Sequence, residues 1–182
     1  MSDIKRGEIT FTNLQDYPPS HGYTRLFGAE ESSNVKSFFI TPCAGTEEPR
    51  NFQAVMNGGY WSVDFAVVST ELTFVFDFTG TKPRYSITDG ATAITGIYDT
   101  TDLTVINKTA FLFTFRRGDD AYSRKIPAKV FSMKLWGTNN TLLRNLVPAL
   151  RRSDSEIGLY DLVSNTFLTN SGSGAFTGGQ LT

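Results

Sequence analysis

Hydrolysis of a glycosidic bond needs two carboxyl groups a few ångström apart across the sugar. On a β-strand the simplest supply is acidic residues at i and i+2 or i+4. The chain has no Glu-x-Asp-x-x-Glu run. Its adjacent acid pairs, Glu30-Glu31, Glu47-Glu48 and Asp119-Asp120, fall in turn-like sequence, and neighbours in an extended chain point to opposite faces. Asp64 and Asp77 stand alone in strand-like sequence, where an exposed acid is the simpler reading. The one histidine, His21, lies in a Pro-rich stretch ill suited to a Ser-His-Asp or Cys-His arrangement. One His and one Cys, Cys43, also fall short of a zinc set. Asp99, Asp102, Asp154 and Asn170 supply turn oxygens of the kind calcium takes, but no spacing argues for a site. The glycines at 172, 174, 178 and 179 lack the strand-to-helix context of a phosphate cradle. The expectation is a non-enzymatic chain with no cofactor and no metal.

Binding chemistry offers more. Trp136 and Tyr60 are flat apolar rings that could stack on sugar faces, although strand aromatics more often serve a core or an interface. Arg144, Arg151 and Arg152 form one cationic cluster, and Arg116, Arg117, Arg124 and Lys125 another. Solvated sheet surface is the ordinary reading; a patch for anions or acidic glycans is the sharper one. Arg117-Gly118-Asp119 is an RGD tripeptide at a turn, a motif short enough to recur by chance. Asn107 and Asn139 begin glycosylation sequons.

The elements that must position these residues read as β-strands. The segment 71–78, ELTFVFDF, alternates apolar and polar with a period of two. The segments 36–41, 51–56, 60–68, 110–116, 127–136 and 141–147 have strand character, as do shorter ones at 9–12 (ITFT, where Ile9 and Phe11 alternate with threonines) and near 85–87, 94–98 and 103–106. In 127–136 strict alternation puts Phe131, Met133 and Leu135 on one face. Turn signals such as Asn57-Gly58 and Asp89-Gly90 separate the strands. No helical period is evident. Over 182 residues, 40% are hydrophobic and 13% aromatic, including 15 Phe. That suits a single all-β domain, a two-sheet antiparallel sandwich. A formal net charge of -1 supplies no field for nucleic acid or membrane. The opening MSDIKRGEIT lacks a signal-peptide core, and no stretch nears the ~20 apolar residues of a membrane span.

The segment 146–176 is the most specific. Val147-Pro148, Arg151 to Asp154, Ile157-Gly158-Leu159-Tyr160-Asp161, Phe167, Asn170, Gly172, Gly174 and Phe176 resemble the C-terminal signature of concanavalin A-like, laminin-G-like jelly-roll domains. Such domains occur in phage virion proteins and gut-bacterial surface proteins. The resemblance extends from about residue 110 to 178, with 132–136 supplying the preceding strand. Residue chemistry gives this closing motif a structural sense. Pro148 belongs at an edge or bend. Gly158 permits close backbone approach. Tyr160 can bury its ring and still bond through its hydroxyl. Gly172 and Gly174 allow the chain to turn, so that Phe176 folds back as a core plug. Asp154, Glu156, Asp161 and Asn170 have turn and capping roles.

The expected organisation is an N-terminal arm over 1–34 for anchoring or interface, a jelly-roll β-sandwich over 35–178 and a short tail over 179–182. The resemblance implies a virion structural protein on tail, baseplate or capsid. Its partners would be other virion proteins, sister copies in an arrangement such as a trimer, and host cell-surface glycan. A free bacterial carbohydrate-binding, lectin-like module is the alternative.

Overall fold

The computed structural model describes residues 3–13, 26–32, 36–44, 51–56, 59–63, 71–97, 110–112, 115–117, 120–122, 128–170 and 176–178. Along the chain run β1 (Arg6–Asn13), β2 (Phe27–Ser32), β3 (Lys36–Ala44), β4 (Asn51–Met56), β5 (Gly59–Val63), β6 (Glu71–Asp77), β7 (Arg84–Thr88) and β8 (Ala93–Ile97). Then come β9 (Phe111–Leu112), β10 (Phe115–Arg117), β11 (Asp120–Tyr122), β12 (Ala128–Trp136), β13 (Leu142–Arg151), β14 (Glu156–Asp161) and β15 (Thr166–Leu168). A 3-10 turn at Thr138–Asn140 joins β12 to β13, with Asn139 and Asn140 at positive φ (59° and 57°). Asparagine tolerates that region better than other non-glycine residues.

The fold is all-β, consistent with a sandwich. Eight strands form an antiparallel sheet in the order β15-β14-β13-β12-β1-β6-β7-β8. A second sheet runs β11-β10-β2-β3-β4-β5, with β9 also paired to β2. One pairing there is parallel, β10 against β2 at Arg117 and Glu30.

Phenylalanines join the two sheets. In β6, Leu72, Phe74 and Phe76 are fully buried while Glu71 is exposed. Phe76 meets Phe38 of β3 at 4.6 Å between ring centroids, and Phe74 meets Phe52 of β4 at 4.9 Å. Trp61 of β5 stacks on Tyr85 of β7 at 5.7 Å. These tilted and offset contacts are the ones aromatic quadrupoles favour. Burying each such ring contributes about 1.5–3 kcal/mol. Gly96 of β8 lies beneath Trp61, and a Cβ there would run into the indole.

The arm anticipated over 1–34 is corrected by two strands. Residues 6–13 form the middle of the large sheet, with Ile9 and Phe11 fully buried. Residues 27–32 lie in the second sheet, where Phe27 and Ala29 are buried. The short strand read at 9–12 is the second half of β1; the first half is obscured because Gly7 occupies an inward position. A Cβ at Gly7 would enter the ring of Phe76, so the apolar alternation is interrupted where the ring leaves no room for a side chain. Position 34 is therefore no boundary between arm and sandwich. Residues 14–25 and the tail 179–182 lie outside the described residues.

A second departure concerns β12. Its pairing with β1 steps from Thr10–Ser132 to Phe11–Val130, leaving Phe131 as the extra residue of a β-bulge. Val130 and Met133 are both buried, and Phe131 is 42% exposed. Phe131 therefore does not share a face with Met133 and Leu135. The β12–β13 register ends at Met133–Leu146, just before the place where bulged Phe131 and Pro148 would oppose each other. Pro148 has no N–H to donate there, and β13 continues through it paired to β14.

Candidate functional site

Two regions gather the polar and aromatic groups: the outer face of the large sheet, and the hairpins of β13, β14 and β15.

On the outer face, cross-strand register sets the pairs. Arg6 lies opposite Trp136 on one side and Asp77 on the other. Its guanidinium sits 4.7 Å from the centre of the Trp136 ring system, a cation–π contact. One face of this half-buried indole is therefore already occupied. Lys134 Nζ reaches Glu8 Oε1 at 3.4 Å, and the hydroxyls of Thr10 and Thr73 share a hydrogen bond of 3.1 Å. Tyr60 lies in β5 opposite Val55. Its side chain is outside the described residues, so the structure does not bring it together with Trp136.

The closing hairpins centre on Asp161, at the end of β14. Its side chain is fully buried and accepts four hydrogen bonds. Oδ1 takes the backbone N–H groups of Asn145 (3.0 Å) and Val163 (3.1 Å). Oδ2 takes Arg144 Nη1 (2.8 Å) and the Ser164 hydroxyl (2.7 Å). Burial is the largest single influence and would push the carboxyl up. The four donors, from Asn145, Ser164, Arg144 and Val163, together outweigh it and hold the group well below the usual carboxylate range. A carboxylate offers about four lone-pair positions, and here all are engaged. Asp161 has no acceptor left for a substrate proton or a cation. It ties β13 to the β14–β15 turn, assisted by Leu162 N–H donating to the Asn145 carbonyl at 2.8 Å.

At the opposite hairpin, Arg151 grips Asp154 through Nε (2.9 Å to Oδ1) and Nη2 (2.6 Å to Oδ2) and also reaches Glu156. The hydrogen bond between them, foremost, raises the Arg151 pKa and lowers that of Asp154. The same guanidinium lies 4.8 Å from the Phe167 ring centroid. Gly158, paired with Ala149, packs against β15, where a Cβ would meet the Leu168 carbonyl and the Phe167 ring. Tyr160 pairs with Phe167, and its hydroxyl meets Asn165 Oδ1 at 3.3 Å. Asn165 itself has φ 55° in the turn. Asn170 and Phe176 are half-buried, so Phe176 is less enclosed than a core plug. Gly172 and Gly174 lie outside the described residues.

The structure thus brings Gly158, Tyr160, Asp161 and Phe167 together, with Pro148 on the adjoining strand. Sequence reasoning missed the partners of the arginines. Arg144 and Arg151 are engaged by Asp161, Asp154 and Glu156, and so do not form an open anion patch. The available signal was Asp161-Leu-Val-Ser164, an acid at a strand end with a hydroxyl three residues on. His21 and the Gly118-Asp119 part of the RGD tripeptide lie outside the described residues. Among the described residues no group of three His, Cys, Asp or Glu is placed to hold a metal, and no helix is long and apolar enough to cross a membrane. Comparisons with protein-family models, with curated proteins and with solved structures found no match to this chain.

Proposed function

We propose that the chain is a non-enzymatic structural module of a bacteriophage virion, a jelly-roll β-sandwich of concanavalin A-like type attached to tail, baseplate or capsid. The observation that supports this most is the closing unit. The segment that resembles the virion jelly rolls spends its charged groups on its own hairpins, with Asp161 saturated by four donors. A particle component needs a rigid frame and faces for its neighbours, not a poised acid or base. In this reading the partners are other virion proteins and sister copies, as in a trimer, and neither nucleic acid nor membrane is bound. Mass spectrometry of purified particles tests it: the chain is expected among the virion proteins, and its absence would end the reading.

The second reading is a free bacterial carbohydrate-binding module. It rests on Trp136, a half-buried indole on the outer sheet face, of which Arg6 leaves only one ring face for a sugar. A glycan array tests it. Binding that is lost on Trp136→Ala or Tyr60→Ala supports it; an array with no binding contradicts it.

A further inference from the structure

Residues 6–13 bridge the two halves of the large sheet. β1 pairs with β12 from Arg6–Trp136 to Asn13–Ala128, and with β6 from Arg6–Asp77 to Thr12–Glu71. Each flank is a meander of consecutive strands, β6-β7-β8 on one side and β12 to β15 on the other, and β1 lies between them in the sheet. No turn joins β1 to either wall. Thr10 bonds to Thr73 across 63 residues, and Glu8 to Lys134 across 126. The next element, β2, belongs to the second sheet.

The slot between β6 and β12 is specific for what fills it. Its inward positions take Gly7, Ile9 and Phe11. Side-chain volume at position 7 is excluded by the ring of Phe76, with Leu135 Cδ2 at 3.0 Å from a Cβ there. The outward positions match Arg6 to Trp136, Glu8 to Lys134 and Thr10 to Thr73. The bulge at Phe131 fixes the register, because only one alignment puts it between Thr10 and Phe11.

A slot whose occupant is covalently remote from both walls does not distinguish its own chain's strand from that of a second copy. Exchange of an identical element between copies is a low-cost route to assembly. The connection from β1 to β2, residues 14–26, has a contour of roughly 45 Å when extended, enough to reach a neighbouring copy. We propose that the β6–β12 slot accepts residues 6–13 of a second copy, so that copies of this chain join by exchanging β1. This stands apart from the virion reading and holds equally for a free module.

Two differently tagged preparations of the full chain are unfolded together and refolded at high protein concentration. The expected product is a dimer carrying both tags. A peptide of residues 3–13, added in excess during refolding, suppresses that dimer and is itself retained in the product. The same peptide with Gly7→Val is retained about tenfold less or worse, because the added side chain overfills the slot. Monomer alone at every concentration would overturn the proposal. So would a dimer that excess peptide leaves unchanged, or equal retention of the two peptides.

Discussion

Arg144 Nη1 lies 2.8 Å from Oδ2 of Asp161, pairing a cation that is half exposed with a carboxylate that is fully buried. The two ends of this ion pair are not equivalent. Removing Arg144 leaves Asp161 with three donors and exposes little. Removing Asp161 takes the acceptor from the partly buried N–H groups of Asn145 and Val163 and frees the β14–β15 turn. Arg144→Ala should therefore cost about 1 kcal/mol and Asp161→Ala about 2–4 kcal/mol of unfolding free energy. Urea titration of the two variants checks the order.

Gly158 should tolerate no side chain. A Cβ there meets the carbonyl oxygen of Leu168, which is backbone and cannot swing aside. Gly158→Ala is expected to cost about 1–3 kcal/mol. Shortening Phe167 in the same protein should recover little, because the backbone contact remains. Thermal unfolding of Gly158→Ala with and without Phe167→Leu reads this directly.

The bulge in β12 reverses what simple alternation implies for two neighbours. Phe131→Ser should change stability by no more than about 0.5 kcal/mol, as for an ordinary surface position. Met133→Ala should cost about 2–5 kcal/mol, as for a buried methionine. Equal costs in denaturant titration would mean that Phe131 faces the core after all.

Phe176 is half-buried. Its truncation to Ala should cost about 1–2.5 kcal/mol, from most of the transfer energy of a phenyl ring. A fully enclosed plug would lose about 3–5 kcal/mol, and the same titration separates the two.

These residues also show what a reader of the sequence could see. In β6, Leu72, Phe74 and Phe76 announce their strand because every inward position is a large apolar residue and the outward ones, Val75 apart, are polar. β4 at Asn51–Met56 is equally plain, bounded by the Asn57-Gly58 signal. In β1 the alternation of Ile9 and Phe11 with threonines is readable, but the first half is hidden because Gly7 stands where a large residue would complete the pattern, and the Phe76 ring that excludes one is contributed by a distant strand. Phe131 misleads because a bulge shifts phase without leaving a mark in composition. At the closing hairpins the turn roles of Asp154 and Asp161 are readable locally. That Arg144 would be the cation beside Asp161 is not, since it depends on the β13–β14 register and on the extra residue, Leu143, that shifts the β12–β13 pairing.

The pH dependence of stability tests the architectural role of Asp161 most directly. Its folded-state pKa is held below the ordinary value by its hydrogen-bond donors. Such a group contributes stability that is complete above the unfolded-state pKa, about 3.9, and is lost as pH falls through the folded-state pKa. Unfolding free energies of the native chain and of Asp161→Ala are measured by urea titration at a series of pH values. The gap between them should be constant from about pH 7 to about pH 5 and then narrow steadily on further acidification. A gap that is absent at neutral pH, or that stays constant to about pH 2, would contradict a closing unit locked by the Asp161 carboxylate.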